Sequence, residues 1–487
     1  MRETLRTRMG WLHGWVGLVS GLCLLCVFAT GTLAVFDTEI TRWMQPETEG
    51  HFSTHPTDMA LSDATTLLRR QQARGIAAFL VLPSVRSPML EVLHYNGHEF
   101  VGDVLDPATG VVIPTRRTAG GKFFYNFHYT LRGGHETGIR VVNMLAMGLL
   151  VVVGAGIVIH LHALVPDVVL LRLSTSRIRS WLDVHLLAGV LALPFMVMIA
   201  YTGILVHADT IMPAHSLLHG TKKGRISSPS ALPKPPLQAV PPLSPLLSIA
   251  QQDLGGRPCG FILFGPDRMS IFASDAAAPY LTRDHVDFSL PDGHLLGVTL
   301  NTGQIATTMQ LMHGLHYARF AGPGLRWLYF ISGLFGTAVI ASGLVLFFMK
   351  RRRKSGHLAI FRVAEGLTVT SMTSLLTAIL AFLWSNRLLP STLPDRDGME
   401  IDIFFAVWGL GALHALSRSF FGSPLSGWQE QLAAAAIMGC GLPLLDMVSA
   451  PQALIHDAAI HMGVDGMGLV AGLVALHAAR CLQARTP

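Results

Sequence analysis

Long apolar runs alternate with polar segments along this chain of 487 residues. Eight runs approach or exceed the roughly 20 apolar residues that a helix needs to cross a bilayer core. They cover about residues 12–36, 140–162, 186–207, 326–349, 366–385, 402–417, 431–449 and 466–480. The composition agrees, because 51% of the residues are hydrophobic and only 14% are charged, whereas about a quarter are charged in soluble domains. The pattern predicts a mainly α-helical, multi-pass membrane protein.

The first and third apolar runs share a spaced motif at an offset of 172 residues. His13 in "LHGWVGL" corresponds to His185 in "VHLLAGV", and Gly31 corresponds to Gly203. Eighteen residues separate histidine from glycine in both copies. That spacing is five turns of an α-helix, so the two residues share a helix face.

The second and fourth apolar runs are also related, at an offset of 188 residues. Each is preceded by a histidine–tyrosine pair, with His128 in "FHYTLRGG" and His316 in "LHYARFAG". Turn signals, "DPATGVV" and "LNTGQIA", lie upstream of the two copies. We therefore expect a four-helix core built from two parallel repeats about an axis along the membrane normal.

The two long polar segments each predict a small α+β domain. In the first, helical spacing over 58–74 precedes the strand-like runs "AAFLVL", "MLEVLHY" and "EFVGDVL". In the second, a stretch with seven prolines between Pro229 and Pro245 predicts an extended linker. A short helix near 243–254 and the strand-like runs "GFILFG", "MSIFAS" and "HVDFSL" follow.

The sequence thus divides into nine consecutive segments. They are a first membrane helix at 1–36, an outer domain with its histidine segment at 37–139, a second helix at 140–162, a loop at 163–184, a third helix at 185–207, an outer domain with the Pro-rich linker at 208–325, a fourth helix at 326–349, a basic loop at 350–365 and a C-terminal region of about four more helices at 366–487.

Lysine and arginine mark one side of the predicted bundle. They cluster at the amino terminus, in the 163–184 loop and in "KRRRK" at 350–354. Short loops rich in these residues stay in the cytoplasm, so the amino terminus is expected inside and both α+β domains outside. The net charge of +6 then reflects topology, and no nucleic-acid partner is expected.

The repeated histidines are the candidate cofactor ligands. Ionisable groups inside membranes face the bundle interior and mark function, and neutral imidazole is a common haem ligand. Haem fits between bundle helices, and one histidine from each repeat can approach the same point. We expect His13 with His185 to bind one haem near the cytoplasmic side, and His128 with His316 to bind a second near the outer side.

Other histidines leave this pairing open. A single histidine at a membrane interface is more often a polar anchor than a ligand. Four could replace a proposed ligand if this pairing is wrong: His160, His162, His207 and His313. Those of the C-terminal region are expected to be structural or interfacial: His414, His456, His461 and His477.

Taken together, these motifs resemble those of the PepSY-associated transmembrane helix family. The resemblance rests on "LHGWVGLVSGL", "TGTLAVF", "DPATG", "FHYTL", "DVHLLAGVLALPF", "LHYARFAGPGLRWLYFISG" and "WSNRLLP". It implies PepSY-type outer domains and a place in the bacterial inner membrane. Some members resemble ferric-siderophore reductases that bind b-type haem, which implies electrons from a quinol or cytoplasmic donor passing to a periplasmic iron chelate.

The leading hypothesis is therefore a haem-containing membrane reductase, with no general acid or nucleophile required. Two other classes stay open. PepSY-like domains are associated with protease inhibition, so a non-enzymatic regulator of periplasmic proteolysis is one alternative. A permease for an iron chelate is the other. No strong relay of intramembrane acids and bases stands out in the sequence, although Asp402 and Asp446 lie in the later helices.

Overall fold

The computed structural model describes residues 4–96, 100–160, 172, 176–211 and 239–483. Most of the predicted Pro-rich linker, and His162, lie outside these residues. The described chain is mainly helical with one small sheet.

Before the second membrane segment, four helices and four strands follow one another. They are α1 (Leu5–Ala34), α2 (Asp37–Met44), α3 (Asp58–Ala73), β1 (Ala78–Val81), β2 (Leu90–Tyr95), β3 (Phe100–Leu105), β4 (Val112–Ile113) and α4 (Lys122–Thr130).

The middle of the chain repeats this order of helix, strands and helix. Its elements are α5 (His135–His160), α6 (Arg177–Val206), α7 (Ala208–Ile211), α8 (Leu243–Asp253), β5 (Cys259–Phe264), β6 (Arg268–Ala273), β7 (His285–Ser289), β8 (Leu295–Thr299), α9 (Gln304–Tyr317) and α10 (Pro323–Ser355). The predicted strand-like runs correspond to β1–β3 and β5–β7, and the helices predicted at 58–74 and near 243–254 are α3 and α8.

The remaining chain is helical: α11 (Ala359–Val369), α12 (Leu375–Leu388), α13 (Arg396–Phe421), α14 (Pro424–Ser449), α15 (Ala453–His456) and α16 (Ala458–Gln483). A π-helical stretch, Thr370–Ser374, joins α11 to α12. The hydroxyls of Thr373 and Ser374 there both donate to the side-chain oxygen of Gln431 on α14, each over 2.7 Å. The widened turn therefore has its polar side chains bonded inside the protein.

Eight helices in the described residues are long and apolar enough to cross a membrane: α1, α5, α6, α10, the continuous α11–α12 helix, α13, α14 and α16. Each overlaps one of the eight apolar runs seen in the sequence over most of its length. The chain is a multi-pass membrane protein.

The chain forms two compact units. The helical unit comprises Met1–Met44, Arg117–Ile211 and Pro323–Pro487, and the sheet unit comprises Gln45–Arg116 and Met212–Gly322. Each unit has its own core.

In the sheet unit, the two polar segments share one antiparallel sheet of eight strands. The strand order is β4-β3-β2-β1-β5-β6-β7-β8, so the segments meet where β1 pairs with β5. Leu80 lies opposite Ile262 at that junction. Helices α3 and α8 contribute to the same buried core as both halves of the sheet. The segments expected as two small domains thus occupy one unit with a common core.

The two turn signals differ in their surroundings. Asp106 caps the "DPATG" turn between β3 and β4 by accepting a 2.8 Å hydrogen bond from the amide of Ala108. Gly110 closes this turn with a φ of 75°, a conformation that glycine adopts at little cost. The "NTG" turn instead leads from β8 into α9. The turn between the third and fourth strands of that half contains Gly293, whose φ is 72°.

In the helical unit, α1, α5, α6 and α10 share a core of small and branched side chains. Leu24 and Phe28 of α1, Leu149 of α5, Ala192 of α6 and Val339 of α10 are all buried in it. Gly336 of α10 lies where an added Cβ would meet the Phe28 ring at 2.6 Å, so this glycine permits the close helix contact expected at membrane packing faces.

Several of the arginines from which the membrane orientation was predicted also make contacts within the protein. Arg172 and Arg179 both pair with the buried carboxylate of Asp183, at 3.0 Å each. Arg351 lies over the ring of Phe347, 4.0 Å from its centre. Because a cation over an aromatic face is attracted to the ring electrons, these basic residues also fix helix ends.

In the C-terminal region, glycines allow the backbones of α14 and α16 to approach closely. A Cβ at Gly439 would lie 2.6 Å from the carbonyl oxygen of Gly468 and 2.7 Å from the Cα of Gly472. We expect Gly439→Ala to lower the free energy of unfolding by about 1–3 kcal/mol, the usual cost of overpacking, because backbone atoms must move apart. Thermal unfolding in detergent measures this as a lower Tm.

Gly466→Ala is the matched control. It lies in α16, and an added Cβ there meets nothing within 4 Å. Alanine is a better helix former than glycine, so this variant should be neutral or stabilising. Equal melting temperatures for the two variants would contradict the proposed close contact.

Candidate functional site

His13 and His185 lie side by side in the helical unit. His13 is on α1 and His185 is on α6, and their ring centres are 6.1 Å apart with the planes at 82°. The sequence pairs these two histidines by the repeat alone, and the structure brings them together.

The two imidazoles are held in the same way. Nδ1 of His13 lies 2.9 Å from the carbonyl oxygen of Val152 on α5, and Nδ1 of His185 lies 2.9 Å from that of Val339 on α10. A carbonyl oxygen only accepts hydrogen bonds, so each neutral ring carries its hydrogen on Nδ1. Nε2 then keeps its lone pair, which is the arrangement of a metal-binding histidine oriented by a backbone carbonyl.

A glycine faces each of these rings. A Cβ at Gly156 would lie 3.2 Å from Cε1 of His13, and one at Gly343 would lie 3.1 Å from Cε1 of His185. Glycine therefore gives each imidazole room beside the neighbouring helix. Val152 and Val339 are 187 residues apart, as are Gly156 and Gly343, one fewer than the offset of 188 that relates His128 to His316.

His128 is held by a third contact of this kind. It lies on α4, outside the membrane helices, and its Nδ1 is 2.8 Å from the carbonyl oxygen of Val27 on α1. A Cβ at Gly31 would be 2.5 Å from that nitrogen. Burial lowers the pKa of His128 below its ordinary value, with the backbone hydrogen bond acting in the opposite direction. The neutral form, which binds metals, is favoured.

His316 lies in the sheet unit, near the end of α9. Like α4, this helix ends in a left-handed residue soon after its histidine: Leu131 has φ 48° and Ala318 has φ 51°. Non-glycine residues in this conformation are uncommon and cluster at functional sites. The pairing of His128 with His316 stays a prediction.

The other candidate histidines have distinct surroundings. His207 stacks on Tyr129, with ring centres 5.9 Å apart at 21°. His160 is the last residue of α5, and His313 lies one turn before His316 on α9. His414 and Arg418 both pair with Glu430, as expected for structural residues.

Comparison with known protein families identifies the family of this chain. The family described as the PepSY-associated TM region matches residues 10–351. The chain belongs to this family. No curated protein matches the sequence.

The match to the PepSY-associated TM region contains all four repeated histidines and ends within α10. Helices α11–α16 lie beyond it. The motif "WSNRLLP", at 384–390, therefore gains no support from the family match, but two of its residues make buried contacts. Asn386 donates to Glu400 over 2.8 Å, and Arg387 pairs with Asp446 over 2.6 Å.

A second group of ligand-type side chains lies beyond the family match and was missed from sequence. Asp446, His461 and Asp465 are buried, and one ligand atom of each lies within 4.8 Å of those of the others. From the sequence, His461 is expected to be structural or interfacial, and Asp446 stands out only as one of two acids, with Asp402, in the later helices. The signal that could have found the group is the spacing of four between His461 and Asp465, which places both on one face of an otherwise apolar helix.

Proposed function

We propose that this protein is a haem-containing electron-transfer protein of the bacterial inner membrane that reduces a periplasmic ferric chelate. The observation that supports it best is the pair His13 and His185. Their ring centres are 6.1 Å apart, and Nδ1 of each is hydrogen-bonded to a backbone carbonyl oxygen. The proposal includes a duplicated four-helix core, with the amino terminus in the cytoplasm and the sheet unit in the periplasm.

The inner pair of residues fits a b-type haem. His13 and His185 come from different helices, each has Nδ1 bonded to a backbone carbonyl oxygen, and their ring centres lie 6.1 Å apart. Both imidazoles would therefore be able to bind the iron of one haem. In the proposal His13 and His185 are the inner ligands and His128 and His316 the outer ligands.

The protein's own groups supply position and protonation state. Val152 and Val339 keep the hydrogen of each inner imidazole on Nδ1, so Nε2 is available to bind iron. When bound, haem supplies one-electron chemistry that no amino-acid side chain here provides. Two such centres at different depths would let electrons cross the apolar layer. A quinol or cytoplasmic reductant loses the electrons, and Fe(III) of the chelate becomes Fe(II) on receiving one.

The buried arginine of α10 has a partner within the protein. Arg326 is buried on α10 and forms an ion pair with Glu39 of α2, while its guanidinium lies 6.0 Å from the centre of the Phe36 ring. Its charge is therefore matched by the protein, and the proposal assigns it no cofactor contact.

The first test is the absorption spectrum of the purified protein, oxidised and dithionite-reduced. We expect a reducible b-type signal that falls by about half in His13→Ala or in His316→Ala, because each removes one ligand of one of two haems. His456→Ala is the control, since His456 is exposed and its Nδ1 lies near the carbonyl of Gln452. A full signal in both ligand variants would reject the assignment.

The glycine beside His185 provides a second test that leaves all four histidines intact. Gly343→Val places a branched side chain where even a Cβ would lie 3.1 Å from the imidazole, so the ring must move. We expect the variant to lose about half of the haem signal. Gly154→Val is the control, because a Cβ at Gly154 meets nothing within 4 Å. Unchanged haem content in Gly343→Val would argue against His185 as a ligand.

Electron delivery is tested with reduced protein mixed without oxygen with a ferric tris-hydroxamate chelate. We expect the b-type signal to be re-oxidised while a chromogenic chelator traps Fe(II). The gallium(III) form of the same chelate controls for binding, since gallium(III) does not accept an electron under these conditions. Protein that stays reduced with the ferric chelate would contradict reductase activity, even if haem were present.

A further inference from the structure

Three helices bring a compact charged group together inside the C-terminal part of the helical unit. Arg387 is on α12, Asp446 on α14, and His461 and Asp465 on α16. The side chains of Arg387, Asp446 and His461 are fully buried, and Asp465 is nearly so. Charged groups inside a membrane protein are costly and mark functional sites.

Asp446 is the centre of this group. Its Oδ2 lies 2.7 Å from Nδ1 of His461, and its Oδ1 lies 2.6 Å from Nη2 of Arg387. Arg387 also donates to the main-chain oxygen of Trp43 over 2.7 Å, and its guanidinium lies 4.0 Å from the centre of the Trp43 ring. Asp446 is thus matched by a permanent cation and a ring nitrogen that can donate.

Asp465 has different surroundings. Its Oδ1 accepts a 3.2 Å hydrogen bond from the indole nitrogen of Trp43 on α2. The carboxylate of Asp446 lies within 4.8 Å of it. A like charge this close disfavours ionisation of the second carboxyl group.

The charges in the group do not balance if both aspartates are ionised. Two carboxylates then face one guanidinium and a neutral imidazole, which leaves one net negative charge buried. Four residues before His461, Asp457 already forms an ion pair with Arg42, over 2.5 Å. One bound cation is needed for neutrality. Arg387 already pairs with Oδ1 of Asp446, and a proton supplies the missing positive charge without moving it.

We propose that this group is a proton-binding site in which Asp465 carries one exchangeable proton while Asp446 is ionised. The site lies in helices beyond the family match and is independent of haem binding. It would allow the membrane interior to gain or lose one positive charge without a metal or a permanent cation.

A route for exchange lies along the start of α16. Asp457, His461 and Asp465 are spaced four residues apart, so they follow one another on one face. Asp457 keeps 14% of its side chain exposed, whereas His461 is fully buried. His461 can accept a proton at one ring nitrogen and release one from the other, so it would relay a proton between Asp457 and the two buried aspartates.

A neighbouring buried acid shows what a balanced site looks like. Glu400 on α13 pairs with buried Arg396, one charge against one. It also accepts hydrogen bonds from the Thr118 hydroxyl, the Ala119 amide and the Asn386 side chain, at 2.7, 3.0 and 2.8 Å. This carboxylate needs no proton for neutrality, in contrast to the pair of carboxylates at Asp446 and Asp465.

Infrared difference spectroscopy of the full-length protein tests the proposal. At neutral pH we expect the carbonyl stretching band of a protonated carboxyl group. The band should move in heavy water and when the aspartates carry ¹³C in the side-chain carboxyl. It should be lost in Asp465→Asn and retained in Asp402→Asn, the matched control, because Asp402 is an exposed aspartate on membrane helix α13.

Each result bears on the proposal. Absence of an aspartic acid band in the wild-type protein would overturn it, whether or not any variant folds. So would persistence of the full band in folded Asp465→Asn. Stoichiometric metal in the wild type that is lost in Asp465→Asn would replace the proton with a metal ion. Asp465→Glu should restore a protonated carboxyl band without the aspartate isotope shift. Haem content affects none of these readouts.

Discussion

The hydrogen bond from an imidazole to the main chain of a neighbouring helix is the interaction on which the candidate site depends. A helix carbonyl normally accepts from its own helix, but it has a second lone pair. Val152, Val339 and Val27 use theirs to hold His13, His185 and His128. The same bond satisfies a polar group where water is scarce and selects the ring tautomer. Position and chemistry are therefore set by one contact in all three cases.

Small residues make these contacts possible. Gly156, Gly343 and Gly31 each face the imidazole that bonds to the same or an adjacent helix turn. Any side chain at those positions would push the ring away from the carbonyl. Glycine at a membrane helix face is usually explained by helix packing, and Gly336 against Phe28 fits that explanation. The three glycines beside histidine instead make space for a polar ring.

Much of the fold was predictable, because the length of the apolar runs and the periodicity of the strand-like segments determine the helices and strands. Eight apolar runs gave eight long helices, and six alternating segments gave six of the strands. The proximity of His13 and His185 followed from the repeat. The pairing of β1 with β5 could not be predicted, because no local sequence pattern indicates which strand edges pair. The Asp446 group was missed for a similar reason: Arg387, Asp446 and His461 lie on three different helices, and each alone resembles an interfacial residue.

The junction of β1 and β5 constrains how the chain is made. Leu80 and Ile262 are 182 positions apart, and α5 and α6 lie between them in the sequence. During synthesis, β1 has no partner at this edge until β5 has been made, and two further membrane helices are made before β5. An exposed edge strand is prone to pair with other chains, and contacts so distant in sequence form slowly. The sheet can therefore be completed only after α6 has been made. A chain stopped after α6 would expose the unpaired edge of β1 to the proteins that monitor folding.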